Sequence, residues 1–120
     1  MQSRANLKLF NSDSPQYETK ISISTSHTIE RVSIEEILYL EGKENYCRIK
    51  LINGDTILAN KSLGKQFEEL NSFDFFLCHK SYVVNMEKVI RYWRIGIAEL
   101  EGGERVPVAR RRREAFRNQI

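Results

Sequence analysis

The segment "FFLCHKSYVVN" (residues 75–85) joins two kinds of sequence that seldom occur together. Aromatic and β-branched residues at both ends are typical of β-strands that pack against a core. Between them, Cys78 to Ser81 place a thiol, an imidazole, an ammonium group and a hydroxyl side by side. A strand that only packs would rarely carry these four groups. The segment therefore predicts two strands, at 75–78 and 82–84, with a candidate binding turn between them.

On both sides of this segment, short apolar runs alternate with turn residues, which is typical of antiparallel β proteins. The pair Asn53-Gly54 predicts a two-residue hairpin, because both residues tolerate positive φ. Gly102-Gly103 predicts a second tight turn. Ten strands are predicted, at residues 20–24, 28–32, 36–42, 46–51, 55–59, 75–78, 82–84, 88–93, 96–100 and 105–108.

One interior stretch, residues 61–71, has helical spacing. Leu63, Phe67 and Leu70 fall at i, i+4 and i+7 and so share one helical face. Ser62 is placed to cap this helix with its hydroxyl. The fold class is therefore mainly β, with about ten strands and one small interior helix.

The chain end and the core complete the predicted fold. Residues 109–120 follow the last strand and predict a short, frayed C-terminal helix. The apolar side chains that the strand and helix patterns direct inward form the predicted core: Leu51, Ile57, Leu63, Phe67, Leu70, Val83 and Val89.

The composition is that of one soluble globular domain. The 120 residues are 41% hydrophobic and 29% charged, which favours a folded chain. Residues 1–19 are predicted to be a linker or tail, and residues 20–120 the domain. No apolar run reaches the ~18–20 residues of a membrane span, and the N-terminus lacks the apolar stretch of a signal peptide. We therefore expect a cytoplasmic protein without a membrane segment.

The charge is distributed unevenly along the chain. Residues 1–79 carry nine basic and eleven acidic side chains, whereas residues 80–120 carry ten basic and five acidic ones. Four of the basic residues are consecutive, at 110–113. This asymmetry indicates a surface that faces a polyanion, although a solvated charge run near a chain end would look the same.

Enzyme, metal and cofactor sites have little support in the sequence. A metal site needs about four ligands at usable spacing, but Cys47, Cys78, His27 and His79 are scattered. Cys78 and His79 are adjacent on a strand and point to opposite faces, so they cannot form a nucleophile–base pair. No Gly-rich phosphate loop is present. We predict a non-enzymatic protein without metal or cofactor, whose two cysteines are reduced.

Strand alternation suggests what the polar turn of 75–85 does. If Cys78 points into the core, His79 points outward, and Lys80 and Ser81 lie where the strand leaves the sheet. An imidazole, a cation and a hydroxyl in succession suit hydrogen bonds to phosphates and base edges. The alternative is that His79 packs under its own sheet while Lys80 only solvates a turn.

Four segments together resemble the LytTR DNA-binding domain of bacterial response regulators. They are "YLEGKENYCRIKL" (39–51), "SLGKQFEEL" (62–70), "FFLCHKSYVVNMEKVI" (75–90) and "VPVARRRREAF" (106–116). The third and fourth are the most specific, because both their order and their spacing match. The resemblance implies an elongated stack of antiparallel sheets that reads DNA through loops at one edge, in adjacent major grooves and the minor groove between them. These 120 residues contain no receiver domain, so we expect either an excised output domain or a regulator that is controlled in another way.

The resemblance also implies the site residues. The first loop, 43–46, would place Lys43 on phosphate, Asn45 on a base and Tyr46 beside them. Lys80 and Ser81 would reach the minor groove, with His79 either contacting DNA or orienting their turn. Arg110 would contact guanine. The full implied set is Lys43, Asn45, Tyr46, His79, Lys80, Ser81, Arg110, Arg111 and Arg113.

The predicted function is therefore sequence-specific binding of double-stranded DNA by a transcriptional regulator. The expected partner is promoter DNA with repeated half-sites, on which the protein is expected to form a homodimer. The alternative is a β-rich protein–protein interaction module whose basic end binds an acidic partner. RNA binding has less support, because RNA-binding platforms use exposed aromatic residues, whereas Phe75, Tyr82 and Trp93 occupy strand positions suited to a core.

Overall fold

The computed structural model describes residues 19–120, so the predicted N-terminal tail lies, apart from Thr19, outside the described residues. These residues form ten strands, two α-helices and short 3-10 turns. The strands are β1 Lys20–Ser24, β2 Ile29–Ser33, β3 Ile37–Lys43, β4 Tyr46–Leu51, β5 Thr56–Ala59, β6 Phe75–His79, β7 Tyr82–Asn85, β8 Val89–Trp93, β9 Ile97–Leu100 and β10 Arg105–Pro107. The helices are α1 Leu63–Glu68 and α2 Arg113–Gln119.

The strands form three antiparallel sheets. β1 and β2 make a hairpin, a five-stranded sheet has the order β5-β4-β3-β7-β6, and a three-stranded sheet has the order β10-β9-β8. The described residues extend over 45 × 35 × 24 Å. The predicted mainly β, elongated stack of antiparallel sheets is confirmed.

The five-stranded sheet separates two cores. One face packs with the β1–β2 hairpin and α1, through a cluster that includes Ile23, Leu40 and Leu70. The other face packs with the three-stranded sheet and α2, through a cluster that includes Val84 and Phe116. A β-bulge between Ile37 and Tyr39 shifts the register of β3. The bulge changes the direction of the side chains along the strand, so that β3 contributes side chains to both cores.

Four of the seven predicted core residues are buried: Leu51, Leu63, Leu70 and Val83. The prediction was too strong for Ile57, Phe67 and Val89, which are only partly buried against the two cores. Ile57 and Val89 lie on β5 and β8, the edge strands of their sheets. Edge position limits burial because a neighbouring strand covers such residues on one side only.

The structure confirms one local feature predicted from the sequence, a helix cap, and corrects another, a hairpin loop. Ser62 caps α1 as predicted, its hydroxyl accepting from the Lys65 N–H at 3.3 Å. The Asn53-Gly54 turn is not a two-residue hairpin. The Gly54 N–H donates to the Leu51 carbonyl at 3.0 Å, and of the pair only Gly54 has positive φ, at 97°. The loop therefore contains three residues, with Gly54 in the conformation that favours glycine.

The C-terminal helix is anchored, and the prediction that it is frayed was wrong. Phe116 of α2 is fully buried. Its ring lies 5.8 Å from that of Phe76 in an edge-on arrangement and 5.4 Å from that of Tyr92, centroid to centroid. One aromatic side chain thus docks α2 onto the second core.

Cys47 and Cys78 are both free and buried. Burial raises the pKa of Cys47 to about 11 and that of Cys78 to about 12. Both side chains therefore behave as small core residues. Across residues 19–120, the helices are all too short or too polar to span a bilayer.

Candidate nucleic-acid interface

The first predicted loop, residues 43–46, is the tight turn between β3 and β4. Lys43 and Tyr46 are register partners, and Glu44 between them has a φ of 25°. Asn45 and Tyr46 are exposed, whereas Lys43 is partly buried. The hairpin therefore presents the Asn45 amide at its tip, where both its donor and its acceptor can meet a base edge.

The second loop, Lys80–Ser81, joins β6 to β7. The Ser81 N–H donates to Nδ1 of His79 at 3.0 Å. The imidazole also lies edge-on to the Tyr82 ring, with centroids 5.7 Å apart. His79 thus supports the turn from inside while Lys80 is exposed.

Strand alternation was correct for Cys78 and incomplete for His79. Cys78 is fully buried. His79 is only partly exposed, because the register shifts between Leu77 and His79 and the ring folds back over its own turn. The structure supports an orienting role for His79, and its contact with DNA stays a prediction.

The third loop, residues 110–113, consists of a 3-10 turn at Arg110–Arg112 and the first residue of α2, Arg113. Arg110, Arg111 and Arg112 are exposed. Arg113 is partly buried, and its Nε donates to the Val108 carbonyl at 3.1 Å. Its guanidinium lies over Gly96, where any Cβ would collide with it. The first three arginines therefore face solvent, while Arg113 braces the loop.

Two backbone hydrogen bonds bring the three loops together at one edge of the molecule. The Gly42 N–H, at the end of β3, donates to the Ser81 carbonyl at 2.8 Å, which joins the first loop to the second. The Ala109 N–H donates to the Cys78 carbonyl at 2.8 Å, which joins the third loop to the strand that leads into the second. Segments separated by tens of residues in sequence thus form one surface, here called the loop edge (residues 43–46, 80–81 and 110–113).

The cations of the loop edge differ in their partners. Within residues 19–120, neither Lys80 nor any of Arg110–Arg112 has a carboxylate within ion-pair distance. Lys43 does, since its Nζ lies 3.3 Å from Oε2 of Glu41. Arg48 Nε lies 4.0 Å from the other oxygen of the same carboxylate. Cations without an internal counter-ion are available to an external polyanion.

Sequence reasoning missed three residues at or beside this edge. Arg112 is as exposed as its neighbours, and its place in the arginine run was the available signal. Arg48 and Glu41 lie on strands, where only the hairpin register brings them opposite each other. That register was predictable from the short turn at 43–46, but the ion pairs were not.

Tyr82, which follows the second loop, is hydrogen-bonded through its hydroxyl to Glu41, which precedes the first loop by two residues. The O–H donates to Glu41 Oε2 at 3.1 Å, and the ring contacts both His79 and Tyr39. Burial, and then the hydrogen bond to Glu41, raise the pKa of Tyr82 above its ordinary value, so the hydroxyl stays a donor. Among residues 19–120, no group of His, Cys, Asp and Glu side chains is arranged to hold a metal ion.

Comparison with known proteins places this geometry in a family. The model of the LytTr DNA-binding domain matches residues 27–120. An uncharacterised response regulatory protein of Vibrio cholerae is 28% identical over 83 residues, which cover 67% of this chain and 32% of the relative. The chain thus spans about a third of the length of that curated relative.

A solved structure has the same fold. The LytTr DNA-binding domain of a methyl-accepting/DNA response regulator from Bacillus cereus superimposes with a TM-score of 0.71. The match covers 86% of this chain and 97% of that one, at 22% identity, which supports the fold alone. The family match spans the five-stranded sheet, the three-stranded sheet and all three loops. The chain therefore belongs to the LytTR family, whose domains are the DNA-binding output domains of response regulators in transcription regulation.

Proposed function

We propose that the loop edge is the surface through which this domain binds specific promoter sequences in double-stranded DNA. The observation that carries the proposal is that hydrogen bonds at Gly42 and Ala109 join the three loops into one surface. On this surface, Lys80 and Arg110–Arg112 are exposed and have no ion-pair partner within residues 19–120. Sequence recognition needs such an arrangement, because a loop can read a base only if contacts with the DNA phosphates fix the register of the protein on the duplex.

Two residues are proposed to read bases. Asn45 stands at the tip of the first loop, and its amide can pair with the N6 and N7 edge of adenine in a major groove. Arg110 opens the third loop directly after Ala109, whose N–H is tied to β6. A guanidinium held at such a point can fork onto O6 and N7 of guanine.

The remaining residues are proposed to fix the register on the duplex. Lys43 and Arg111 contact phosphates, with Tyr46 flanking the first loop. Lys80 and Ser81 reach the minor groove between the two major grooves and its flanking phosphates. These contacts carry little sequence information but supply most of the salt-dependent affinity.

His79 and Arg113 are proposed to act chiefly from behind the surface. His79 holds the Ser81 N–H, and Arg113 holds the Val108 carbonyl, so each orients a loop that carries exposed contact residues. A phosphate contact from the exposed part of Arg113 belongs to the same proposal.

The partners follow from this mode of binding. The domain acts in the bacterial cytoplasm on repeated half-sites, and two copies sit together on the DNA. Titration of the protein onto duplexes with one and with two half-sites, followed by native mass measurement, tests the stoichiometry. Two copies on the longer duplex and one on the shorter are expected.

Selection from random duplex DNA tests the function itself. Enriched sequences should converge on a motif, and the selected duplex should bind at least about 10³-fold more tightly than a scrambled duplex of equal length. Enrichment of no motif would contradict sequence-specific recognition. Absence of measurable binding to any duplex would instead favour the protein–protein module, whose basic end would bind an acidic partner.

A further inference from the structure

The Glu41 carboxylate lies beside the loop edge and is surrounded by donors. Glu41 is on β3, two residues before the first loop, and its side chain is 23% exposed. Its Oε2 accepts from the Tyr82 hydroxyl at 3.1 Å and lies 3.3 Å from Lys43 Nζ. Arg48 Nε approaches Oε1 at 4.0 Å. The Tyr82 hydrogen bond fixes the position of the carboxylate, so its charge stays close to Lys43.

We propose that Glu41 is an internal competitor of DNA that lowers the affinity of the first loop for phosphate. This rests on the proposed function, in which Lys43 contacts the backbone. A phosphate that binds Lys43 must displace Glu41 or share the ammonium with it. Glu41 therefore sets how strongly the loop edge binds any duplex, while the base-reading residues set which duplex it prefers.

Counter-ion exchange gives the proposal a measurable signature. A lysine that binds phosphate releases a DNA counter-ion, and each such contact adds about 0.9 to the salt slope. If the lysine must first leave a carboxylate, that carboxylate takes up a cation from the solution. The net number of counter-ions released is then smaller. Removal of the Glu41 charge should therefore strengthen binding and steepen the salt slope together.

The principal variant is Glu41→Gln, which keeps an acceptor for the Tyr82 hydroxyl. An exposed or half-exposed ion pair contributes little free energy, so we expect this variant to bind both the selected and the scrambled duplex about two- to fivefold more tightly. Fluorescence anisotropy across a salt series measures both the affinity and the slope. Glu41→Ala, which also removes the acceptor, should give the same direction of change, provided that circular dichroism shows it to be folded.

Two controls separate this effect from a general change in charge. Glu87→Gln removes the same charge from an exposed position at the other end of β7, and should change affinity by much less, because salt screens distant charges. In a Lys43→Ala background, Glu41→Gln should lose most of its effect.

Three results would overturn the proposal. The first is that Glu41→Gln raises the affinity for DNA no more than Glu87→Gln does. The second is that Glu41→Gln raises the affinity just as much in the Lys43→Ala background. The third is that Glu41→Gln lowers the affinity. Failure of the proposed function is recognised separately, because the wild-type protein would then show no preference for the selected duplex.

Discussion

Replacement of Phe116 by Ala should destabilise the domain more than any surface substitution on the same helix. The side chain is fully buried between Phe76 and Tyr92, and deletion of a buried phenyl ring costs about 3–5 kcal/mol. Small domains have free energies of unfolding of only about 5–15 kcal/mol. We therefore expect Phe116→Ala to lose a large share of its stability.

Urea denaturation followed by circular dichroism measures this loss. Ile120→Ala is the matched control, since Ile120 follows the same helix and is exposed, and it should change stability by about 0.5 kcal/mol or less. Phe116→Leu should stay folded at a cost of about 1–2 kcal/mol and should bind the selected duplex less tightly, because α2 directly follows the arginine loop. A loss below about 1 kcal/mol for Phe116→Ala would refute the anchoring role of this ring.

Four further predictions concern the loops and the thiols. His79→Ala should weaken binding to selected and scrambled duplexes together, by anisotropy, because the Ser81 N–H loses its acceptor; unchanged affinity would contradict the orienting role. Lys43→Ala should weaken both duplexes alike and reduce the salt slope by up to about one unit, and a selective loss on one duplex would contradict the phosphate contact. Cys47 and Cys78 should resist a thiol reagent at pH 8 until the protein is unfolded, since burial raises the pKa of both thiols. Rapid labelling of the native protein would contradict this burial. Because those folded-state pKa values exceed the ordinary value near 9, the contribution of the thiols to stability should be complete below pH 9 and fall as the pH rises toward 11 to 12. Urea denaturation across this pH range measures the change, and a free energy of unfolding that stays constant would contradict it.

Much of the fold was predictable because strand periodicity and turn residues are local signals. β4, for instance, has the bounds expected from "YCRIKL", and Ser62 caps α1 as its position before the apolar face suggested. The degree of burial was less predictable. Ile57 and Val89 have the right residue type and phase, but strand order places them on edge strands, and strand order is a tertiary property.

In the candidate site, too, residue types were predictable from the sequence, whereas the contacts between residues were not. The identity of the polar and basic residues pointed to a polyanion, and the resemblance named the loops. Neither could show that His79 turns back onto the Ser81 N–H, that Arg113 is held by Val108, or that Arg48 approaches Glu41. Each of these contacts depends on a bulge, a docked helix or a hairpin register, and only the folded chain brings the partners together.

The central claim is that the loop edge reads bases, and Arg110 tests it most directly. Anisotropy should be measured for Arg110→Ala and Arg110→Lys on the selected and scrambled duplexes across a salt series. We expect Arg110→Ala to cost about 1–3 kcal/mol on the selected duplex and little on the scrambled one. Arg110→Lys should also fail substantially, because an ammonium lacks the planar pair of donors. Equal weakening of both duplexes by Arg110→Ala would contradict base reading and would make Arg110 a phosphate contact.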